Sequence, residues 1–371
     1  MKSDSSRLVI ILDSPMNAYV ISLLEQKFDS VEVIYAIDPS AKNEQEYVSM
    51  FRLLLSNLHI ASEVTFHYDS KSFWTIDRES VVQELSFKLK KIIKANDSVT
   101  TYFGNALTNP VATAAQRLVN LNHLYHSPTD FSFLLIDRKL QESVKSVVKY
   151  FVGKVLGRRS AYVALENGAI FTLVDFQKLF PKQFSHINYL KFSLPLVEEP
   201  LKPLIAQLSM QRNRIVLLLA GSEPGPGDEN PSNIRLFLKP HLDAVAKLMR
   251  EDDFSEATVW IREHRSYIPL SADERALLVE HFTVLGCIVF FMSDFIPLNF
   301  RLLPAECIFR YCHFDYLIGE PSSLLLNIAG GPIKLVAACS QFVPFRDKGQ
   351  LERNNDFIKM NEMLGNSCRC I

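Results

Sequence analysis

Strand-like and helix-like segments that alternate, and restart halfway along the chain, predict an α/β protein of two lobes, each a parallel sheet with covering helices. Near-continuous apolar runs at Leu8 to Leu12 and Arg214 to Ala220 suit strands covered on both faces. Segments with apolar residues at helical spacing follow them, and 371 residues suffice for two domains of ordinary size.

In the first half, Leu8 to Leu12 is a strand closed by Asp13-Ser14-Pro15, and Val20, Leu23, Leu24 and Phe28 then recur as on a helix. Val31 to Ala36 reads as the next strand. Glu44 to Leu58 reads as a helix with Tyr47, Phe51 and Leu54 on one face, and Glu63 to His67 as a strand. A helix over Arg78 to Ala95 is followed by a strand from Ser98 to Phe103, ending at Gly104-Asn105. Phe131 to Ile136 and Leu140 to Val155 continue the alternation. Asn188 to Pro203, with three prolines and no amphipathic period, reads as a crossing segment, which gives domains of residues 1–195 and 196–371. The second half restarts at Arg214. It places a loop at Gly221 to Asn230, helices at Pro240 to Met249 and Ala272 to Phe282, and extended segments at Thr258 to Ile261 and Cys287 to Phe291.

A formal net charge of −1 and 22% charged residues argue against a general nucleic-acid binder, so any anionic partner must meet a local basic patch. One such patch is Lys88, Lys90, Lys91 and Lys94, near the end of an expected helix. It reads either as a solvated face or as a contact for an anionic lipid surface. Met1 to Arg7 lacks the apolar core of a signal peptide, and the apolar run Phe282 to Met292 is shorter than the ~20 residues of a membrane span, so it is expected to be a buried strand. These readings, with six cysteines in no zinc-binding pattern, lead to an expected cytoplasmic location. Cys368-Arg369-Cys370-Ile371 fits a prenylation signal poorly and reads as a frayed, reactive tail.

Three short motifs carry chemical groups. Glu166-Asn167-Gly168 follows the apolar stretch Tyr162 to Leu165, where a carboxylate at a strand end suits a general base; an ordinary Asn-Gly turn fits as well. Glu263-His264-Arg265 ends another extended run, and its histidine and arginine suit a leaving phosphate or simply an exposed charged loop. Gly319-Glu320-Pro321-Ser322-Ser323-Leu324 joins an apolar strand, Tyr316 to Ile318, to an apolar helix. Hydroxyls and backbone N–H groups there suit an anion, a helix cap, or both. No Gly-x-Ser-x-Gly elbow and no Gly-x-Gly-x-x-Gly turn occurs, which argues against a serine hydrolase and a dinucleotide dehydrogenase.

The order of these motifs resembles the bacterial sialyltransferases and polysialyltransferases of GT-B architecture, which use CMP-sialic acid. Glu166-Asn167-Gly168 resembles their acidic-acidic-glycine motif, His264-Arg265 their His-Pro motif, Ser322-Ser323 their paired serines, and Pro304-Ala305-Glu306 their Pro-x-Glu stretch. The resemblance implies two Rossmann-like domains facing each other across a cleft, and inverting transfer of sialic acid to a glycan or glycolipid acceptor. It implies no cofactor and no metal, with which the lack of an Asp-x-Asp motif agrees. By the same resemblance Glu166 is the base and His264 protonates or binds the leaving phosphate. Ser322, Ser323, Glu306, Arg265 and Gly168 then belong to the nucleotide-sugar site. Asn17, Asn105 and Arg159 are guesses for the acceptor side. Asn167 replaces the family's second acid and Arg265 its proline, so a nucleotide-binding homologue without turnover stays open, as does a related transferase with another nucleotide-sugar donor.

Overall fold

A run of apolar residues with no polar alternation has no face to offer water, and the first strand behaves accordingly. In the computed structural model of the chain, β1 (Arg7–Leu12) has Leu8 to Leu12 all at 0% exposure, paired in parallel on both sides with β2 (Ser30–Ile37) and β4 (Ser98–Tyr102). The structure describes residues 7–12, 17, 28–39, 44–56, 58–69, 78–102, 109–120, 124–127, 169–172, 188–191, 198–218, 234–253, 255–263, 270–319, 333–337, 359, 362 and 368–370. The chain divides into two compact units, Met1–Pro195 and Leu196–Ile371.

The first unit adds β3 (Ile60–His67), β5 (Leu124–Ser127), β6 (Ala169–Thr172) and β7 (Asn188–Lys191), giving the order β3-β2-β1-β4-β5-β6-β7 with each neighbouring pair parallel. Strands three, two, one and four in that order form the doubly wound, Rossmann-like arrangement. Edge strand β3 alternates half-buried and exposed residues along its whole length, as one-sided cover requires. Helix α1 (Glu44–Leu54) buries Tyr47, Met50 and Phe51 and stops four residues before the expected Leu58. Helix α2 (Arg78–Leu89) buries Val82, Leu85 and Leu89 against α3 (Pro110–Leu118). It also stops early, so only Lys88 of the lysine cluster is helical, and Lys90, Lys91 and Lys94 lie in the turns leading to β4. The side chain of Asp97 accepts the Lys94 N–H at 2.8 Å and holds that turn. Asn109 caps α3, accepting from Val111 and Ala112 N–H, with Pro110 at the first helical position where no N–H is needed. The expected helix over Val20 to Phe28, strand Phe131 to Ile136 and helix Leu140 to Val155 fall outside the described residues.

The second unit repeats the arrangement. Its strands are β8 (Arg214–Leu218), β9 (Ala257–Arg262), β10 (Cys287–Phe291), β11 (Tyr316–Gly319), β12 (Lys334–Ala337) and β13 (Cys368–Cys370), in parallel order β10-β9-β8-β11-β12-β13. The helices among the described residues are α4 (Glu198–Ser209), α5 (Ile234–Glu251), α6 (Ala272–Val284) and the short α7 (Ala305–Phe309). Helix α6 opens on a capping box in which Ser271 and Glu274 each satisfy the other's backbone N–H. It is followed by Gly286 at φ +81°, where an added Cβ would meet the Ser255 carbonyl at 3.2 Å.

Four expectations change here. Residues 188–203 hold β7 and the start of α4: Leu201, Leu204 and Leu208 recur at helical spacing and are buried, and that face carries the helix past Pro203. Helix α5 begins six residues before the expected Pro240. The run Phe282 to Met292 is a helix end, the Gly286 turn and then β10. As the sheet's edge, β10 leaves Ile288 57% exposed rather than buried. Cys368–Cys370 is no frayed tail but β13, laid in parallel on β12. The thiols of Cys287, Cys307 and Cys312 are buried, which pushes all three up, Cys287 to about 11 and Cys312 to about 12; this disfavours reactive thiolate.

The same ion pair closes the N-terminal edge of both sheets. Arg7, first residue of β1, reaches Asp97, which directly precedes β4, at 2.6 Å, and Glu32 of β2 at 3.0 Å. Arg214, first residue of β8, bonds Asp315, which directly precedes β11, through its backbone N–H at 2.8 Å and its guanidinium at 3.2 and 3.3 Å. Burial raises the pKa of Asp315, but the hydrogen bonds and charge of Arg214, with the charge of Lys334, outweigh it and leave the pKa below the usual carboxylate value. Glu32 is likewise lowered: the bonds from Ser62 and Arg7 outweigh burial. A depressed folded pKa means stability that is complete above the unfolded value, about 4, and is lost as pH falls through the folded one. Thermal melts from pH 6 down to 2 are therefore expected to show a falling Tm below about pH 4. Asp315→Asn is expected to flatten part of that fall while lowering Tm at neutral pH; an unchanged acid limb would exclude the pair from this role.

Candidate functional site

In an open parallel sheet, ligands bind beyond the carboxyl ends of the strands, where the strand order reverses. In the second unit this point lies between β8 and β11, with β9 on the other side of β8. Adjacent strands lie about 4.8 Å apart, so β9 and β11, flanking β8, end within about 10 Å of each other. From those ends the chain runs on to two of the motifs, to His264-Arg265 two residues past β9 and to Glu320-Pro321-Ser322-Ser323 directly past β11.

Strand β9 is buried along its length and ends in a charge. Arg262, only 5% exposed, points a guanidinium nitrogen at two backbone oxygens, donating to the carbonyls of Arg301 at 2.9 Å and Leu303 at 2.7 Å. Those bonds tie the carboxyl end of β9 to the turn that leads through Pro304 into α7, the helix that carries Glu306. The neighbouring Glu263 is half-buried, and burial raises its pKa, against the lowering charges of Arg275, Arg262 and Arg301; Asp294 adds to the rise. Arg275 is itself held, paired with Asp294 at 2.5 Å and lying 4.0 Å over the Phe291 ring. The edge thus combines a carboxyl of raised pKa with fixed guanidinium groups, a setting in which a proton can be held near the charge of an anion.

Breaking the Arg262 bonds strands two backbone acceptors in a buried turn. Arg262→Met is expected to lower stability by about 2–4 kcal/mol. Urea unfolding checks this, and a loss below about 0.5 kcal/mol, the range of an ordinary surface change, would refute the clamp.

Of the residues singled out from the sequence, Glu306 is described. It is 5% exposed within α7, next to Cys307 in the chain. His264, Arg265, Ser322, Ser323, Glu166, Asn167 and Gly168 lie outside the described residues, as do Asn105 and Arg159. The strand Tyr162 to Leu165, expected ahead of the Glu166 motif, lies outside the described residues; β6 opens directly after the motif, at Ala169.

In the first unit the corresponding edge lies beyond Leu12 and Tyr102. Asn17, expected to line an acceptor site, is fully buried and donates to the Ile11 carbonyl at 2.6 Å, so it fastens the chain after β1. Asp38, 2% exposed, follows β2 at the same edge, and the Asn109 side chain donates to the Tyr68 hydroxyl at 3.2 Å. Arg262 and Asp38 escaped the sequence reading. The signal was there in both cases, as a charged residue at or just after the end of an otherwise apolar strand.

Among the described residues no three His, Cys, Asp or Glu side chains come together as a metal site would need, and no helix is long and apolar enough to cross a membrane. A scan against protein-family models and a search of curated proteins each returned no match.

Proposed function

We propose that the chain is an inverting glycosyltransferase of GT-B type that moves sialic acid, or a related acidic sugar, from a CMP-activated donor to a glycan hydroxyl at the cytoplasmic face of a membrane. The observation that carries this reading is topological. Strands β9 and β11 end at one edge on either side of β8, and the chain continues from them into His264-Arg265 and Ser322-Ser323. A histidine, an arginine and two hydroxyls led to one edge suit a nucleotide phosphate, where donors must meet growing negative charge as the sugar departs.

In this reading the second unit holds the donor and the first supplies the acceptor and the base, Glu166. The base takes the acceptor proton as the hydroxyl oxygen bonds to the anomeric carbon, the bond to CMP breaks, and His264 meets the leaving phosphate. Arg262 shapes the donor edge through its backbone bonds, and Glu306 belongs with Ser322, Ser323, Arg265 and Gly168 to the nucleotide-sugar site. No metal takes part, so a chelator should leave the rate unchanged.

Melting the protein with a series of nucleotides tests the donor. CMP at about a hundred times its Kd should add roughly 2.7 kcal/mol, a Tm rise of several degrees, with UMP, UDP and GDP well below it. CMP release from CMP-sialic acid tests turnover. A larger rise with UDP moves the reading to another donor, and no rise with any nucleotide overturns it. Asn167, in place of the family's second acid, favours one alternative, a homologue that binds the nucleotide without transfer. That alternative predicts the CMP shift with no CMP release.

A further inference from the structure

We infer that the end of α2 and the turn after it form a docking surface for an anionic lipid bilayer. The inward face of α2 is accounted for by Val82, Leu85 and Leu89 in the core. The outward face ends in Phe87, whose side chain is 70% exposed, and Lys88, Lys90, Lys91 and Lys94 are exposed around it. Lys91 Nζ lies 5.9 Å from the centre of the Phe87 ring. Lys88 is paired with Glu84 at 2.6 Å; among the described residues Lys90, Lys91 and Lys94 form no ion pair. The other carboxylates near this end, Asp97 and Glu32, are paired with Arg7, and Glu32 also feels the charge of Lys94.

A solvated lysine face would account for the charges but not for a bare phenyl ring among them. The whole chain has a net charge of −1, so the positive charge here is local and not a by-product of a basic composition. Lysines around an apolar side chain on a helix end are what an anionic headgroup layer complements, the ring entering the interface while the ammonium groups stay among phosphates. A nucleic-acid surface would favour arginine forks and several stacking rings, and this patch has neither. Because α2 runs back to the start of β4, the surface lies on the N-terminal edge of the first sheet, away from the edge bearing Asp38 and Asn17.

Sedimentation of the full chain with vesicles tests this without reference to any donor. Binding is expected to vesicles of phosphatidylcholine with about 30% phosphatidylglycerol and not to phosphatidylcholine alone, weakening steeply between about 0.05 and 0.5 M salt. Losing a lysine costs about fivefold in partition, so K90E/K91E/K94E should lower it on the order of a hundredfold or more. Phe87→Ser should lower it roughly tenfold. A melting curve equal to that of the unaltered protein shows that each variant is folded. Equal binding to neutral vesicles, no binding to anionic ones, unchanged binding by the lysine variant, or retention on DNA with vesicles left unbound would each overturn the proposal.

Discussion

Trp260→Ala is expected to remove about 3–5 kcal/mol from the second unit, a large share of the roughly 5–15 kcal/mol that holds a folded domain. Trp260 is the largest fully buried side chain in the described residues, on the face of β9 opposite to Val259 and Ile261. Its ring stacks on Phe290 at 4.8 Å and meets Phe295 at 5.4 Å and Phe314 at 6.5 Å. Phe314 in turn meets Phe309 of α7 edge-on at 5.6 Å. Removing the indole therefore opens a cavity between the sheet and the segment that carries Glu306, where the four surrounding phenyl rings cannot all close in. Trp260→Phe keeps an aromatic partner for Phe290 and should cost well under half as much. Urea unfolding followed by far-ultraviolet circular dichroism separates the two variants. If both lie within 1 kcal/mol of the unaltered protein, the aromatic cluster does not hold this face of the sheet.

His264→Ala is expected to lower kcat for CMP-sialic acid turnover on the order of 10²–10⁴-fold, the usual contribution of a positioned proton donor or acceptor. Donor affinity should change only a few-fold, because in the proposed reading Arg265 and the Ser322-Ser323 segment stay to bind the phosphate. Glu166→Gln should give a loss of similar size in transfer to the acceptor while leaving the nucleotide-induced Tm rise intact. The two substitutions read different halves of the reaction, and single-turnover assays with and without acceptor distinguish them. A His264→Ala rate within threefold of the unaltered enzyme would remove that residue from the chemistry. A Glu166→Gln enzyme that still transfers would move the base elsewhere, and the place of the motif just ahead of β6 makes this the sharper of the two trials.

The parts of the fold legible in the sequence are those where one physical signal dominates. Leu8 to Leu12, Arg214 to Leu218 and Thr258 to Ile261 announce themselves because a strand covered on both faces must be apolar throughout. The helix starting at Ala272 is legible from its apolar spacing, whereas α3, opened by Asn109 and Pro110, was not expected. Strands β5, β6, β7, β12 and β13 stayed hidden because three or four residues are too few to show a period, and their extended form comes from the neighbour each pairs with. Helix α4 hid behind its prolines, and the edge position of β10 is a property of strand order that no local pattern records. In the second unit's candidate site, the chemical types at His264 and Ser322-Ser323 were legible, as was the order of their motifs. The Arg262 clamp was not, since its acceptors are backbone oxygens some forty positions away, which any sequence could supply.

The Arg–Asp pairs at the start of strands one and four recur at equivalent places in both halves of the chain, Arg7 with Asp97 and Arg214 with Asp315. The fragments Arg-Leu-Val-Ile-Ile-Leu and Arg-Ile-Val-Leu-Leu begin those first strands in near-identical fashion. With this ionic fastening at the rim where the strands begin, substitutions in the loops beyond Leu12, Tyr102, Leu218 and Gly319 leave both pairs intact, so each sheet keeps that fastening whatever sequence its opposite rim carries.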